Sequence, residues 1–180
     1  MSLEDIAKKM CAKGKGILAA DESTGTMDKR LKSVGVESSE ANRLNFRETL
    51  FSSDAMKNYI GGVILFDETI RQKTSIGISI PELITKNDSV VGIKVDKGAK
   101  KIAGSPEETV TEGLDGLRER LAEYYKLGAR FTKWRAVYNI GKNYPSVQSI
   151  KSNAHALARY AALVQEANMV PIVEPEVLMD

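Results

Sequence analysis

The sequence is poor in the residue types that build disulfides and zinc sites. Cys11 is the only cysteine and His155 the only histidine among the 180 residues. A disulfide within the chain is therefore impossible, and a zinc site with several cysteine or histidine ligands cannot be assembled. His155 also falls in the middle of a predicted helix, so we expect no metal site.

An excess of charge of one sign is missing as well. The chain has 26 Lys and Arg against 24 Asp and Glu, a net charge of +2, with no basic stripe suited to a nucleic-acid backbone. No apolar run approaches the roughly 20 residues of a membrane span, and the segment after Leu3 lacks the apolar core of a signal peptide. We therefore expect a cytoplasmic protein that binds neither nucleic acid nor membrane.

Nucleotide-binding glycine motifs are absent too. No Gly-x-Gly-x-x-Gly follows the first predicted strand, and no Gly-x-x-x-x-Gly-Lys-Ser/Thr occurs anywhere. Neither a dinucleotide cofactor nor P-loop nucleotide binding has support, so we expect no cofactor. The length, with 42% hydrophobic and 28% charged residues, is typical of one globular domain, which we expect over residues 1–180.

What the sequence does contain is an alternation of short apolar runs and helical periodicity. Continuous runs rich in Val, Ile and Leu predict buried parallel strands at 16–20, 61–66, 90–95, 131–134 and 170–173. Spacings of three and four predict helices over 3–10, 27–34, 41–51, 114–124 and 150–164. Ser146 is expected to cap the last helix and Gly128 to end the one before it. The pattern is α/β, either an open doubly wound sheet or a closed barrel.

Ionisable residues follow every predicted strand except the second. Asp21 follows the first strand, Lys94 and Asp96 lie on the third, Lys133 and Arg135 on the fourth. Any one pair could be an ordinary ion pair at a solvated strand end. Four strands ending alike favour a shared mouth, because the carboxyl ends of parallel strands converge. Such mixed charge suits a small phosphorylated substrate, with cations on phosphate and carboxylates moving protons.

Carbonyl chemistry at this mouth would have to proceed without a zinc ion held by several histidines. Lysine and iminium chemistry is then the economical route, and a lysine crowded by other cations would have a depressed pKa. We also expect two neighbouring glutamates, Glu174 and Glu176, to hold one proton between them at neutral pH.

Five motifs stand out along the chain: Gly14–Gly25 (GKGILAADESTG), Gly61–Phe66 (GGVILF), Gly92–Gly98 (GIKVDKG), Lys133–Arg135 (KWR) and Val170–Glu176 (VPIVEPE). Together they resemble the class I fructose-1,6-bisphosphate aldolases, in the family's order and spacing and over essentially the whole chain. The resemblance implies a (β/α)8 TIM barrel of which this chain holds about the first five strands. It also implies reversible cleavage of fructose 1,6-bisphosphate to dihydroxyacetone phosphate and glyceraldehyde 3-phosphate through a lysine Schiff base.

The resemblance further implies catalytic roles for four residues. Asp21 would help in carbinolamine formation and carbon–carbon cleavage, and Lys133 would stabilise charge and transfer protons. Glu174 would be the acid/base for carbinolamine dehydration, with Glu176 as its neighbour at the Schiff-base lysine.

Five further residues fall where the family binds substrate phosphate. Arg135, Lys97 and Ser23 occupy such positions, and Arg30 lies nearby on the following helix. Thr26 stands where many members have serine, which preserves a hydroxyl. The family also implies a homotetramer for the complete enzyme.

The five predicted strands leave the barrel open, because a barrel of this type needs at least roughly 200 residues. The family's Schiff-base lysine belongs to strand six, so we expect the fragment alone to be inactive. The chain is then a piece of a complete aldolase, a truncated fragment that binds partners without catalysis, or a fragment that uses Lys94, Lys97 or Lys133 as a substitute amine. A non-enzymatic half-barrel interaction module and another phosphosugar barrel enzyme, such as an isomerase, are the alternatives from other classes.

Overall fold

Five parallel strands form the centre of the molecule. The structure is a computed structural model that describes residues 1–179. The strands of the parallel sheet are β1 (Gly16–Ala20), β2 (Ile60–Leu65), β3 (Val90–Lys94), β6 (Phe131–Tyr138) and β7 (Val170–Val177). A separate two-stranded antiparallel sheet is made by β4 (Ala99–Ile102) and β5 (Ser105–Thr111). All five predicted strands are confirmed, and β6 and β7 are each four residues longer than their apolar runs.

Helices lie between the parallel strands. Within residues 1–179 they are α1 (Leu3–Met10), α2 (Thr24–Ser33), α3 (Glu40–Phe51), α4 (Asp54–Tyr59), α5 (Asp67–Ile70), α6 (Ile80–Lys86), α7 (Leu117–Lys126) and α8 (Val147–Glu166). The five predicted helices are α1, α2, α3, α7 and α8. The short helices α4, α5 and α6 were not predicted, because each is too brief to show a helical repeat.

Serine side chains and one glycine define the helix ends. Ser146 caps α8 by accepting from the backbone N–H of Ser149, as predicted. Gly128 follows α7 with φ +107°, and the N–H of Ala129 donates back to the carbonyl of Tyr124. This is the Schellman arrangement, which favours glycine at that position.

The order of the strands decides between the two predicted architectures. The parallel strands neighbour one another in the order β1-β2-β3-β6-β7, which is their order along the chain. A doubly wound sheet reverses direction at a switch point, whereas a barrel adds each strand beside the last. The fold is therefore a partial (β/α)8 barrel, and the doubly wound alternative is wrong.

The hairpin of β4 and β5 is an insertion that leans on the sheet. Thr111 donates its hydroxyl to the carbonyl of Arg135 at 2.7 Å, and Asn153 of α8 donates to the carbonyl of Thr109 at 2.8 Å. These bonds fix the hairpin beside the carboxyl end of β6. The hairpin was missed because its strands are largely polar and carry no apolar run.

The outer face of the sheet buries its apolar side chains under the helices. Trp134 of β6 is fully buried, and its ring lies 5.3 Å from that of Tyr160 on α8. Tyr160 also shares a 2.6 Å hydrogen bond with Thr132. Trp134 therefore faces away from its strand neighbours Lys133 and Arg135, which line the opposite face of the sheet.

Helix α1 closes the inner face of the sheet at the amino ends of the strands. Ile6 and Met10 of α1 pack with Val90 and Phe131, the first residues of β3 and β6. A Cβ at Gly92 would lie only 2.2 Å from the Phe131 ring, so the glycine makes room for the aromatic side chain. Along residues 1–179, the structure holds no helix long and apolar enough to cross a membrane.

Candidate active site

A cavity of about 980 Å³ opens at the carboxyl ends of the parallel strands. All nine residues selected from the sequence line it, together with Asp67 just after β2. The exclusion of the second strand from those that end in charged residues is wrong, because Asp67 follows β2 and lines the cavity. The residues selected from the sequence are Asp21, Ser23, Thr26, Arg30, Lys97, Lys133, Arg135, Glu174 and Glu176.

Lys133 occupies the centre of the cavity wall between two carboxylates. Its Nζ donates to Asp21 Oδ2 at 3.2 Å and lies 3.2 Å from Glu174 Oε2. Burial lowers the pKa of Lys133, but the two carboxylates outweigh burial, and the net pKa lies above the ordinary value for lysine. Lys133 does not meet the condition for a depressed pKa, which is a lysine crowded by cations, because its neighbours are anions.

Asp96 ties the carboxyl ends of β3 and β6 together. This buried carboxylate accepts from Lys94 Nζ at 2.7 Å and from the backbone N–H of Gly98 at 3.0 Å. Its other oxygen accepts from the backbone N–H of Arg135 at 3.3 Å. Three bonds from β3, the following loop and β6 hold the wall in one arrangement.

Arg135 and Glu176 form a second ion pair along the same face. The guanidinium donates two hydrogen bonds to the Glu176 carboxylate, one of them 2.6 Å long. These bonds lower the pKa of Glu176 and raise that of Arg135. The expectation of a proton shared by Glu174 and Glu176 is therefore wrong for Glu176, because each glutamate lies beside its own cation.

The turn after β1 carries the hydroxyls expected at a phosphate. Ser23 caps α2, and its Oγ lies 3.2 Å from the Thr26 hydroxyl and accepts from the Thr26 backbone N–H. Arg30, one turn further along α2, is paired with Glu22. The exposed Lys97 side chain reaches the same cavity from the loop after β3.

A second charged network on the cavity rim was missed. Tyr124 of α7 donates its hydroxyl to Asp67 at 2.8 Å, while Arg71 pairs with both Asp67 and Glu123. Burial, then the bond to Asp67, raises the pKa of Tyr124 to about 12. The sequence signal that could have revealed this network is the Asp67-Glu68 pair, which directly follows the second apolar run.

The cavity is lined with ion pairs rather than a metal-ligating cluster. Within the described part of the chain, no three His, Cys, Asp or Glu side chains converge in a way that could hold a metal ion. The lysines and arginines of the wall can hold phosphate groups, and the carboxylates beside Lys133 can move protons.

Comparison with known proteins agrees with the geometry. A family model described as "Fructose-bisphosphate aldolase class-I" matches residues 2–180. A Xanthomonas axonopodis pv. citri protein named "Probable fructose-bisphosphate aldolase class 1" is 59% identical over 183 aligned residues, covering 100% of this chain and 55% of the relative. The "Fructose-bisphosphate aldolase, cytoplasmic isozyme 1" of Pisum sativum is 55% identical over 97% of this chain and 49% of its own length.

A solved structure shows the same fold. Fructose-bisphosphate aldolase from Plasmodium falciparum, crystallised with TRAP and a small-molecule inhibitor, superposes with a TM-score of 0.96 at 47% identity. The match covers 99% of this chain and 52% of that one, so the chain spans about half the length of the relatives it matches. With motifs, fold and family model in agreement, the chain belongs to the class I fructose-bisphosphate aldolase family.

Proposed function

We propose that the protein is a class I fructose-bisphosphate aldolase and that this chain forms one wall of its active site. The reaction is the reversible cleavage of fructose 1,6-bisphosphate to dihydroxyacetone phosphate and glyceraldehyde 3-phosphate. The observation that carries the proposal is the Lys133 ammonium held between Asp21 and Glu174 in an open cavity of about 980 Å³. Family membership supplies the reaction.

Lys133 acts as a cation and not as the attacking amine. Its raised pKa keeps the side chain protonated at neutral pH, and a protonated amine has no lone pair for a carbonyl carbon. Lys94 is likewise bound to Asp96. Both contacts argue against either lysine as a substitute nucleophile. The family resemblance implies a Schiff-base lysine on strand six, a strand that follows the five parallel strands of this chain.

The two carboxylates beside Lys133 serve the proton transfers. Glu174 passes a proton, taken from the Lys133 ammonium 3.2 Å away, to the carbinolamine hydroxyl so that it leaves as water. Asp21 takes the hydroxyl proton that is released when the carbon–carbon bond breaks, and returns a proton to Lys133 across their 3.2 Å contact. The ammonium of Lys133 stabilises the negative charge that builds between them. Glu176 holds Arg135, which places a guanidinium at the same face.

Phosphate binding is assigned to the cations and hydroxyls around this centre. Arg30, Lys97 and Arg135 attract the anionic groups, and the hydroxyls of Ser23 and Thr26 donate to phosphate oxygens. Two anchored phosphates fix the carbon chain across the cavity, which aligns the breaking bond with the carboxylates.

Borohydride trapping tests this function. The purified protein is incubated with dihydroxyacetone phosphate and sodium borohydride, then measured by intact mass and mapped by peptide analysis. We expect an adduct at a lysine other than Lys94, Lys97 and Lys133, on a chain longer than 180 residues. An adduct at Lys133 would overturn the roles given above. Absence of both adduct and cleavage would overturn the aldolase function.

The second candidate, a non-enzymatic interaction module, is favoured by the open edge of the sheet. Val173, Val177 and Leu178 at β7 are 46%, 49% and 37% exposed. Exposed apolar groups along an edge strand invite pairing with another chain. Self-association of a protein that fails the borohydride test would favour this module.

Assembly and location complete the proposal. We propose a cytoplasmic homotetramer, an arrangement implied by the family rather than by any contact in this chain. Light scattering during size-exclusion chromatography measures the assembly, and a mass four times that of the protomer is the expected result.

A further inference from the structure

A buried arginine lies directly behind the turn that carries Asp21 and Ser23. Arg47 of α3 has a side chain only 1% exposed, and its Nη2 donates to the carbonyl of Glu22 at 2.7 Å. Among residues 1–179, its Nε and Nη1 find no hydrogen-bond partner. Unpartnered donors on a buried guanidinium are costly, so movement of a nearby acceptor toward the Arg47 side chain is favoured.

Glu22 lies between this buried arginine and an exposed one. Its Oε1 is paired with Arg30, whose side chain is 58% exposed. Its Oε2 is buried, has no hydrogen-bond partner within the described chain, and lies 3.9 Å from Arg47 Nη2. One carboxylate therefore has two guanidinium groups within reach and is bonded to only one of them.

We propose that Arg47 is a positioning residue that takes the Glu22 carboxylate when a substrate phosphate takes Arg30. The inference rests on the proposed function, because it needs Arg30 to bind phosphate. A shift of the carboxylate by roughly 1 Å brings Glu22 Oε2 into hydrogen-bond range of Arg47, for which about 2.9 Å is typical. The exchange gives the buried Glu22 Oε2 a partner, the Nη2 hydrogen that the Glu22 carbonyl does not use, while Arg30 is released.

Charge balance favours this exchange when an anion arrives. A phosphate that binds Arg30 brings negative charge next to Glu22, and repulsion pushes the carboxylate away from the cavity. Arg47 lies on the side away from the cavity, because Glu22 and Arg30 line the cavity and the buried Arg47 does not. Burial lowers the pKa of Arg47 while Glu22 and Glu68 oppose the shift, and an arginine in such company stays charged at neutral pH.

Arg43 provides a matched comparison on the same helix. It lies one turn before Arg47, and it is also buried, but it donates two hydrogen bonds to Glu68 at 2.9 and 2.7 Å. Arg43 therefore shares the helix, the charge and the neighbour Glu68, whereas only Arg47 reaches Glu22.

Calorimetry of the complete protein with hexitol 1,6-bisphosphate tests the exchange. This probe carries both phosphates but no carbonyl, so binding is measured apart from cleavage. We expect Arg47→Met to raise Kd about tenfold, because Glu22 stays on Arg30 and competes with phosphate. Arg43→Met is expected to leave Kd nearly unchanged. Adding Glu22→Gln to Arg47→Met should restore the affinity without restoring stability to unfolding.

Three results would overturn the inference. They are equal weakening by Arg43→Met and Arg47→Met, unchanged Kd in Arg47→Met, and failure of Glu22→Gln to restore binding. If Arg47→Met does not fold, the single variant Glu22→Gln tests the inference. It should lower the Kd for hexitol 1,6-bisphosphate, because Arg30 is then free to bind phosphate.

Failure of the proposed function would look different. In that case the unsubstituted protein binds no bisphosphate, or Arg30→Met leaves Kd unchanged, and the inference falls with it. Normal cleavage and a normal effect of Arg30→Met, combined with no effect of Arg47→Met, would overturn the inference alone.

Discussion

At the amino ends of the parallel strands the inner face is packed against α1, whereas at the carboxyl ends the same face opens into a cavity lined by charge. Phe131 and Lys133 are two residues apart on β6 and point to the same side. One is fully buried among apolar groups, and the other lies between two carboxylates. The first residue of β6 therefore belongs to the apolar core, and a residue two positions later belongs to the candidate active site.

This difference between the two ends of the strands predicts that stability and activity depend on different residues. Apolar packing contributes to folding at every pH, while the ion pairs at the cavity depend on protonation and can be exchanged for contacts with a ligand. Substitutions at the two ends should therefore divide into those that change unfolding and those that change turnover.

The largest effect is expected at the charged end. In the complete protein, Lys133→Arg keeps a cation between Asp21 and Glu174 but replaces a compact proton donor with a guanidinium that does not release its proton. Turnover should fall roughly 10²- to 10⁴-fold, the contribution typical of a proton-transfer group. Steady-state kinetics measure it, with Lys100→Arg on the exposed face of β4 as the matched control. Unchanged turnover in Lys133→Arg would break the assignment.

The next effect is expected at the packed end. Gly92→Ala places a methyl group against the Phe131 ring, where a Cβ would lie 2.2 Å away. Overpacking of this kind should lower the free energy of unfolding by about 2–3 kcal/mol, measured by urea denaturation. The control is Gly25→Ala in α2, where a Cβ meets nothing within 4 Å, so no loss is expected. Equal loss in both variants would contradict close packing at Phe131.

The smallest expected effect is a pH-dependent loss of stability at the charged ends of the strands, which the packed ends should not show. The bonds from Arg135 hold the pKa of Glu176 below its ordinary value of 4.5. The carboxylate therefore adds stability above pH 4.5, and this contribution is lost as pH falls through the lower pKa of the folded protein. Glu176→Gln should cost less than about 1 kcal/mol at pH 7, because the pair is partly exposed, and progressively less as the pH falls below 4.5. Unfolding at pH 7 and pH 3 measures this.

Gly92→Ala is the control for this pH dependence. Its packing defect contains no ionisable group, so its destabilisation should be the same at both pH values. A loss in Glu176→Gln that persists undiminished at pH 3 would show that the Arg135 pair is not its cause.

The parallel strands and the charged mouth could be predicted because both leave local marks in the sequence. A strand buried on both faces reads as a continuous apolar run, and a strand end facing a shared cavity shows charge directly after that run. The hairpin of β4 and β5 left no such mark, since contacts from Thr111 and Asn153 to other elements hold its polar residues in place.

The arrangement of charge within the site could not be read from the sequence. Which anion faces Lys133 depends on the register of β6 against β7 and on the turn after β1, and neither is local information. Arg47 was missed for the same reason. An arginine on an amphipathic helix is expected in solvent, and only the approach of Glu22 and Glu68 makes its burial tolerable.

Measuring turnover and unfolding free energy together, for Lys133→Arg and Gly92→Ala in the complete protein, tests the separation of the two ends most directly. We predict that Lys133→Arg loses turnover and keeps its stability, while Gly92→Ala loses stability and keeps the turnover of its folded molecules. Loss of turnover in both variants in proportion to their loss of stability would contradict a catalytic site at the carboxyl ends of the strands.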